Sequence, residues 1–307
     1  MSALFLAQHK WPRVGGVERH IHEVSKNISE AWPASPVKLK SKSLKIKVIS
    51  EEDPTSPRLR GAGIKYPHIK FFGLLYIWFW LAKHIELIKK SDIVHCHDVF
   101  IWYLPFRFLF PNKKVYTTFH GGQDVWPIPF KNKFYVKLAA KLSYGTIAIG
   151  DFITKHCGIK PDFVSYGGVD SSFGRGNTKK QKIVVFLGRL EKQTGVYEFI
   201  KRIKKLKGYK VYFLGDGSLK KVCEKHGTVR GFVDPAPFLR KAEICFAGGY
   251  LAALEALSCK CKLWYGWNTP IKKDYWQLSP FHETDYKWAR SQTWDKVADL
   301  YLKLWRK

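Results

Sequence analysis

The sequence lacks any apolar run long enough to cross a membrane as a helix. The longest run, FFGLLYIWFWLA at residues 71–82, has 12 residues, whereas a membrane span needs about 20. We therefore expect a buried or an interfacial helix there. A secretory signal is also missing, because the short apolar stretch at residues 4–7 is followed by His9, Lys10 and Arg13. The sequence thus predicts a cytoplasmic protein.

Cysteine pairs of the metal-binding kind are missing as well. The six cysteines include no C-x-x-C pair, which argues against a zinc site and against a disulfide framework. Reduced thiols fit a cytosolic protein. His95 and His97 are spaced to share one face of a strand, but no carboxylate spacing supports a metal ion, so packing or hydrogen bonding is their expected role. We predict no metal site and no cofactor.

Acidic residues are scarce relative to basic ones. The chain of 307 residues has 25 Asp and Glu against 53 Lys and Arg, which gives a net charge of +28. Because 46% of the residues are hydrophobic, the chain can bury a core, and a disordered protein is excluded. The charge indicates a polyanionic partner, which at this stage is a nucleic acid, an anionic membrane surface or a phosphorylated substrate.

Short apolar strands alternate with segments of helical period in two series, which predicts α/β domains with parallel sheets. We predict an N-terminal domain at 1–170, a linker rich in Gly, Ser and Lys at 171–181, a C-terminal domain at 182–290 and a final helix at 291–307. The predicted strands are residues 3–7, 91–95, 114–119 and 145–149 in the first series, and 182–187, 210–214 and 244–246 in the second. The predicted architecture is two Rossmann-like, doubly wound domains that face a cleft.

Glycines and a few charged residues follow several of these strands. The pair Gly15–Gly16 precedes the first helix, whose N terminus favours a phosphate, although such pairs often only make turns. Arg189 follows Gly188 at the end of a strand, where its guanidinium can hold a diphosphate bidentately. Glu255 lies in an otherwise apolar helix, so we expect it to reach a cleft and accept hydrogen bonds from sugar hydroxyls.

In sequence order these pieces resemble the retaining nucleotide-sugar glycosyltransferases of the GT-B fold, the large family 4 group. The resemblance covers nearly the whole chain. The matching stretches are PRVGGVERHIHEVSKNIS, SDIVHCHD, VYTTFHGG, GTIAIGDFITKHCGI, FVSYGGVDSSF, FLGRLEKQTGVYEFI, YFLGDGS, TVRGFVDPAPFLRKAEICF and YLAALEALSCK. The closing segment SQTWDKVADLYLKL also resembles the terminal helix that crosses back to the first domain in this family.

The resemblance implies roles for particular residues. His120 would be the cleft histidine close to the transferred sugar, and Arg189 would stabilise the leaving diphosphate without a metal ion. Glu255 would face the nucleotide ribose. The co-substrate would be a UDP- or GDP-linked sugar. The implied donor-binding residues are Gly15, Gly16, Arg189, Lys192, Gly215, Gly217, Gly231, Phe232, Val233, Leu251 and Glu255.

Three positions depart from the family pattern. Ala247 stands where the family has the first Glu of an E-x7-E pair, and Thr194 stands where it has a Lys five residues after the Arg. Lys192 is a candidate substitute for that Lys. Gly167 stands where the family usually has Asn. These changes leave the donor sugar undetermined.

The sequence therefore predicts a retaining hexosyltransferase that acts on a lipid acceptor or a surface glycan precursor. Aromatic and basic residues alternate at 102–114 and 126–141, which favours a peripheral site on the inner face of the plasma membrane, with ordinary core helices as the alternative. Two other functions stay open. One is a basic nucleic-acid-binding protein, and the other is a degenerate transferase that binds a nucleotide sugar without turnover.

Overall fold

The computed structural model describes residues 1–8, 15–31, 45–51, 64–66, 73–121, 126–176 and 178–307. By its internal contacts the chain divides into two compact units. The first comprises Met1–Gly121, Ile128–Ser165 and Val297–Lys307, and the second comprises Gly122–Pro127 and Tyr166–Lys296. Each unit is built on one parallel sheet with helices between the strands.

The first unit contains a seven-stranded sheet in the order β3-β2-β1-β4-β5-β6-β7. Its strands are β1 (Ser2–Ala7), β2 (Lys45–Glu51), β3 (Ile64–Tyr66), β4 (Ile93–His97), β5 (Lys114–Phe119), β6 (Gly145–Ile149) and β7 (Phe163–Ser165). Its helices are α1 (Gly16–Ala31), α2 (Gly73–Lys83), α3 (Ile85–Lys90), α4 (Phe100–Leu109), α5 (Phe130–Leu142) and α6 (Phe152–Cys157). The central strands β1 and β4 are buried along nearly their whole length, because helices cover both faces of such a sheet.

The second unit contains a five-stranded sheet in the order β10-β9-β8-β11-β12. Its strands are β8 (Gln181–Leu187), β9 (Lys210–Leu214), β10 (Thr228–Gly231), β11 (Ala242–Ala247) and β12 (Lys262–Trp264). Its helices are α7 (Val196–Ile203), α8 (Lys220–Glu224), α9 (Ala236–Lys241), α10 (Tyr250–Ser258), α11 (Pro270–Gln277) and α12 (Tyr286–Ser291). Phenylalanines on β8, β9, β11 and α7 stack at the centre of its core.

The last helix, α13 (Trp294–Trp305), begins in the second unit, and its residues from Val297 onward belong to the first. Tyr301 and Trp305 on this helix are buried against the first sheet. The segment predicted as a linker, 171–181, falls within the second unit. Its residues Ser171–Gly174 form a short 3-10 helix whose Phe173 is buried, so this stretch packs within the second unit.

The predicted fold class, two Rossmann-like α/β domains, is confirmed. The sequence analysis did not predict the strands β2, β3, β7 and β12. All six cysteines carry free thiols. Within the described parts of the chain, every helix is too short or too polar to span a membrane.

Candidate functional site

Both sheets reverse their strand order at one point, between β1 and β4 in the first and between β8 and β11 in the second. In open α/β sheets ligands bind beyond the carboxyl ends of the strands at such a point. His97 ends β4 there, paired in register with Ala7 of β1. Gly188 and Gly248 follow β8 and β11 at the corresponding place in the second unit. The sequence-predicted residues therefore fall on two sites, one in each unit.

In the first unit, four histidines form a buried cluster at this point. They are His20 of α1, His95 and His97 of β4, and His120, which directly follows β5. His95 and His97 share a strand face, and their rings stack with centroids 5.1 Å apart. The ring of His20 stands perpendicular to that of His120, with centroids 5.0 Å apart. Burial lowers the pKa of His20 and of His95 to about 3, and it holds the pKa of His97 and His120 well below the usual range. The cluster is therefore uncharged at neutral pH.

His120 is held from two sides. Its Nε2 lies 3.1 Å from Nδ1 of His97, and its backbone N–H donates to a carboxylate oxygen of Asp98 at 2.9 Å. Asp98 adopts φ +61°, which turns its side chain back toward this loop. Desolvation by the surrounding protein raises the pKa of Asp98 to about 6, although the backbone N–H groups of His120 and Gly121 donate to its carboxylate and lower the pKa. Because the side chain keeps much of its accessible surface, we expect solvent to moderate that shift.

The nitrogens of this cluster bond mostly to other buried side chains. Five of them, namely Nε2 of His20, both nitrogens of His95, Nδ1 of His97 and Nε2 of His120, lie within hydrogen-bond distance of hydroxyls, an indole or one another. Nε2 of His97 is buried without a hydrogen-bond partner. Across the described ranges, His, Cys, Asp and Glu side chains do not assemble in groups of three that could hold an ion.

In the second unit, three glycines shape the carboxyl edge of the sheet. Gly188, Gly215 and Gly217 have φ values of +148°, +152° and +158°, which side chains rarely adopt. The backbone at Gly215 approaches the carbonyl of Gly188 so closely that an added Cβ would lie 1.9 Å from its oxygen. Glycine is therefore needed at these positions because the loops at the strand ends pack backbone against backbone.

We expect Gly215→Ala to destabilise the second unit by about 2–4 kcal/mol, because it combines a strained φ with a clash against fixed backbone. Thermal unfolding measures this. Gly208→Ala is the matched control, since Gly208 has φ +75° but open space around its Cβ position, and we expect it to cost about 1 kcal/mol. Equal losses in the two variants would contradict the clash.

Arg189 is exposed directly after β8, at the edge where the sequence analysis expected it. The loop beyond it is held by Thr194, whose buried hydroxyl bonds to the carbonyls of Arg189 and Glu191. Glu191 in turn accepts hydrogen bonds from Ser218, which lower the pKa of its carboxyl. Thr194 thus has a structural role in shaping this loop, and Lys192 is exposed on the same loop.

A buried lysine at the same edge was not predicted. Lys272 of α11 is 3% exposed, and its Nζ donates to the carbonyl of Gly248 at 3.1 Å. The ammonium also lies 4.0 Å from the ring centroid of Tyr275. A Cβ on Gly248 would contact both Gly188 and Thr194 at 3.4 Å. Gly248, whose carbonyl accepts the Lys272 ammonium, therefore packs against the loop on which the family places its lysine.

Other predicted donor residues lie around this edge. Gly231 ends β10 and forms an isolated bridge with Gly215. Phe232 and Val233 follow it and are 52% and 42% exposed. Leu251 lies against Gly167, where an added Cβ would come within 2.4 Å of its Cδ2. The bulk of Leu251 therefore accounts for glycine at the usual Asn position.

Glu255 is 3% exposed, in the middle of α10. It is close enough to the Cys245 thiol to raise the pKa of that group, although burial is the larger cause. Glu255 was expected to reach a cleft and accept hydrogen bonds there, and its side chain has little exposed surface in the structure. Its role toward a ribose stays a prediction. Ala247 ends β11 and is buried too.

Gly15 and Gly16 stand at the start of α1, as predicted. A Cβ on Gly15 would lie 2.1 Å from a carboxylate oxygen of Glu18. The helix N terminus therefore already faces a buried negative charge, which disfavours a phosphate at that point.

Two open α/β domains, each built on one parallel sheet, define the GT-B fold. The solved structures that this chain matches include Anabaena HepE in complex with UDP and glucose, with a TM-score of 0.70 and 12% identity over 99% of this chain and 98% of that one. TarM from S. aureus matches with a TM-score of 0.68 and 11% identity over 100% and 99%. A glycosyltransferase from Rickettsia africae matches with a TM-score of 0.64 and 15% identity over 99% and 97%.

A sequence model of Glycosyltransferase Family 4 matches residues 14–170, about half of the chain. No curated protein matches the sequence. The chain therefore belongs to Glycosyltransferase Family 4, and it is a glycosyltransferase by family. This identification favours the enzyme over the nucleic-acid-binding alternative.

Proposed function

We propose that the protein is a retaining, metal-independent glycosyltransferase that moves a hexose from a UDP- or GDP-linked donor to an acceptor. The observation that carries this proposal is the placement of two cations, Arg189 and Lys272, at the glycine-lined edge of the second sheet. A diphosphate leaving group needs positive charge where the sugar–phosphate bond breaks. The two side chains would supply it without a metal ion.

The other residues of this edge would bind the rest of the donor. Exposed Phe232 and Val233 would pack against the base, while Glu255 would accept hydrogen bonds from the ribose. Gly215 and Gly217 would shape the loops at the strand ends, beside which the diphosphate would lie. HepE has been solved with UDP and glucose, and TarM with UDP and α-GlcNAc-glycerol, which supports a nucleotide sugar as the donor class for this chain.

A thermal-shift panel of UDP, GDP, ADP and their sugars tests the donor, because a ligand that binds only the folded state raises the unfolding temperature. We expect a uridine or guanosine diphosphate to raise it. A panel without any shift would contradict the proposal.

Proton NMR of the product then reports its anomeric configuration, and inversion relative to the donor would exclude the retaining mechanism. A donor that binds without product would instead favour the degenerate-transferase alternative.

We predict that Lys272→Met weakens nucleoside diphosphate binding about tenfold, because it removes a buried ammonium while preserving an apolar stem of similar length. Isothermal titration calorimetry measures the Kd. The neighbouring Lys273 is exposed on the same helix, so Lys273→Met controls for the loss of one charge, and we expect its Kd to stay within about twofold. Equal Kd values for wild type and Lys272→Met would remove Lys272 from the site.

The proposal extends to a membrane-associated acceptor. Helix α5 buries only Ala139, whereas Phe130 and Phe134 are 84% and 52% exposed. Lys137 and Lys141 are exposed on the same face of this helix. Adjacent helices add exposed apolar residues, namely Leu75 and Phe79 on α2 and Phe108 and Leu109 on α4. Large apolar side chains among lysines suit the anionic headgroups of a cytoplasmic membrane face.

We predict that Phe130→Ser/Phe134→Ser lowers binding to anionic vesicles at least about tenfold, since each phenylalanine loses its burial in the lipid interface. Flotation with phosphatidylglycerol-containing vesicles and with neutral vesicles measures this. Tyr197→Ser removes an aromatic side chain of the second unit that is 47% exposed and serves as the control. Equal recovery of wild type with neutral and anionic vesicles, or none with either, would exclude the membrane site.

A further inference from the structure

Five buried side chains of the first unit form a continuous hydrogen-bonded chain. The indole Nε1–H of Trp305 donates to Nδ1 of His95 at 3.0 Å. Nε2 of His95 lies 2.8 Å from the hydroxyl of Thr118, and that hydroxyl lies 2.8 Å from the Tyr301 hydroxyl. The Tyr301 hydroxyl lies 2.9 Å from Nε2 of His20. This hydrogen-bonded chain thus links side chains of helix α13, strands β4 and β5, and helix α1.

The first bond fixes the tautomer of His95, and the pairing of each hydroxyl proton within the chain sets the direction of the other bonds. An indole can only donate, so Nδ1 of His95 carries no proton, and the neutral ring holds its proton on Nε2. His95 then donates to Thr118, which leaves the Thr118 hydroxyl to donate to Tyr301. The Tyr301 hydroxyl in turn donates to Nε2 of His20. This is the arrangement in which every proton of the chain has an acceptor, and it places the remaining proton of His20 on Nδ1.

We infer that this ordered chain is a positioning device, in which Trp305 and Tyr301 of the last helix fix the tautomer of His20 and thereby the way its ring stands against His120. The contact of His20 with His120 is a perpendicular one, with centroids 5.0 Å apart, so the electrostatics at His120 depend on which nitrogen of His20 carries the proton. The importance of this for turnover rests on the proposed function of His120.

The two histidines of this hydrogen-bonded chain can change tautomer, but they do not become charged at neutral pH. The pKa of His20 and that of His95 are both lowered to about 3 by burial. Both rings therefore stay neutral at any pH at which the enzyme would work. What can change is the order of the protons, and the whole order can reverse only when the indole donor is gone.

Nitrogen NMR of the full-length protein with 15N-labelled histidine reads the tautomers directly and needs no substrate. We expect Nδ1–H for His20 and Nε2–H for His95 in wild type. In Trp305→Phe the fixed end of the chain is removed, so the reversed order becomes populated, and the Nε2–H form of His20 rises about fivefold. The effect would pass along the three remaining hydrogen bonds, from His95 through Thr118 and Tyr301 to His20.

Tyr116→Phe is the matched control. Its hydroxyl also contacts the last helix, at the carbonyl of Trp305, but it lies outside the chain, so we expect wild-type tautomers. An Nε2–H form of His20 in wild type, or the same tautomer in wild type and Trp305→Phe, would overturn the inference.

A kinetic arm uses the conservative variant Tyr301→Phe. We expect kcat to fall about tenfold with the donor KM within twofold of wild type, and Tyr116→Phe to leave both unchanged. Equal kinetics for Tyr301→Phe and wild type would overturn the positioning role. Should no nucleotide sugar be turned over, the proposed function fails, while the tautomer measurement still decides the order of the chain.

Discussion

Arg189→Ala is expected to lower kcat by about 10²–10³-fold, with the fold and the unfolding temperature unchanged. The guanidinium would neutralise charge that develops on the diphosphate as the sugar–phosphate bond breaks, and loss of one such preorganised donor has a cost of this size. Because Arg189 is exposed at the end of β8, its removal leaves no cavity in the core. The effect should therefore fall on catalysis rather than on stability.

Steady-state kinetics with the donor found by thermal shift measure this loss. Arg189→Lys should recover only part of the activity, since an ammonium cannot hold two phosphate oxygens in the planar, bidentate manner of a guanidinium. Arg175→Ala removes another exposed arginine of the second unit and should behave as wild type. Comparable losses for Arg175→Ala and Arg189→Ala would show that net charge, not the position of Arg189, matters.

Much of the fold was predictable because the central strands are buried on both faces. The strands β1, β5, β6, β8 and β9 are short apolar runs between helical segments, and the sequence analysis found each of them. Strand β2 reads KIKVISE, and its Lys45 and Lys47 are exposed. It therefore lacks the continuous apolar run by which the other strands were recognised. Strands β3, β7 and β12 have only three residues each, too few for any period to be read.

The residues of the candidate site that come directly after a strand were predictable from the sequence. Arg189 and the glycines of the second unit come directly after strands, so the edge they share follows from a parallel sheet. Lys272 and Tyr301 could not be found in this way, because they lie on later helices whose packing brings them back to the strand ends. A lysine and a tyrosine at helical spacing carry no local signal that separates a buried position from an exposed one.

The histidines illustrate the same limit. The spacing of His95 and His97 predicts a shared strand face, and their stacked rings have that arrangement. The sequence gives no sign that His20, 75 positions earlier than His95, completes the cluster. Only the crossing of α1 over the carboxyl ends of β4 and β5 brings these rings together.

His120→Ala is expected to lower kcat about 10²-fold, the second-largest effect we predict. His97 bonds Nε2 of this ring, which leaves Nδ1 as the nitrogen available to a hydroxyl of the transferred sugar or to the reacting oxygen. Loss of a positioned imidazole that bonds or exchanges a proton at the reaction centre costs about 10²–10⁴-fold. Steady-state kinetics measure the loss, and His226→Ala, which removes a histidine from the second unit, should leave kcat unchanged.

Asp98→Asn tests whether the position of His120 matters for catalysis when the imidazole itself is kept. The amide keeps the shape of the Asp98 side chain but loses the negative charge that accepts the backbone N–H of His120, so the loop is held less firmly. We expect kcat to fall about tenfold, less than in His120→Ala, and the double variant to lose no more than His120→Ala alone. Fully additive losses in the double variant would mean that Asp98 acts on the reaction independently, and the claim that it works by holding His120 in place would be wrong.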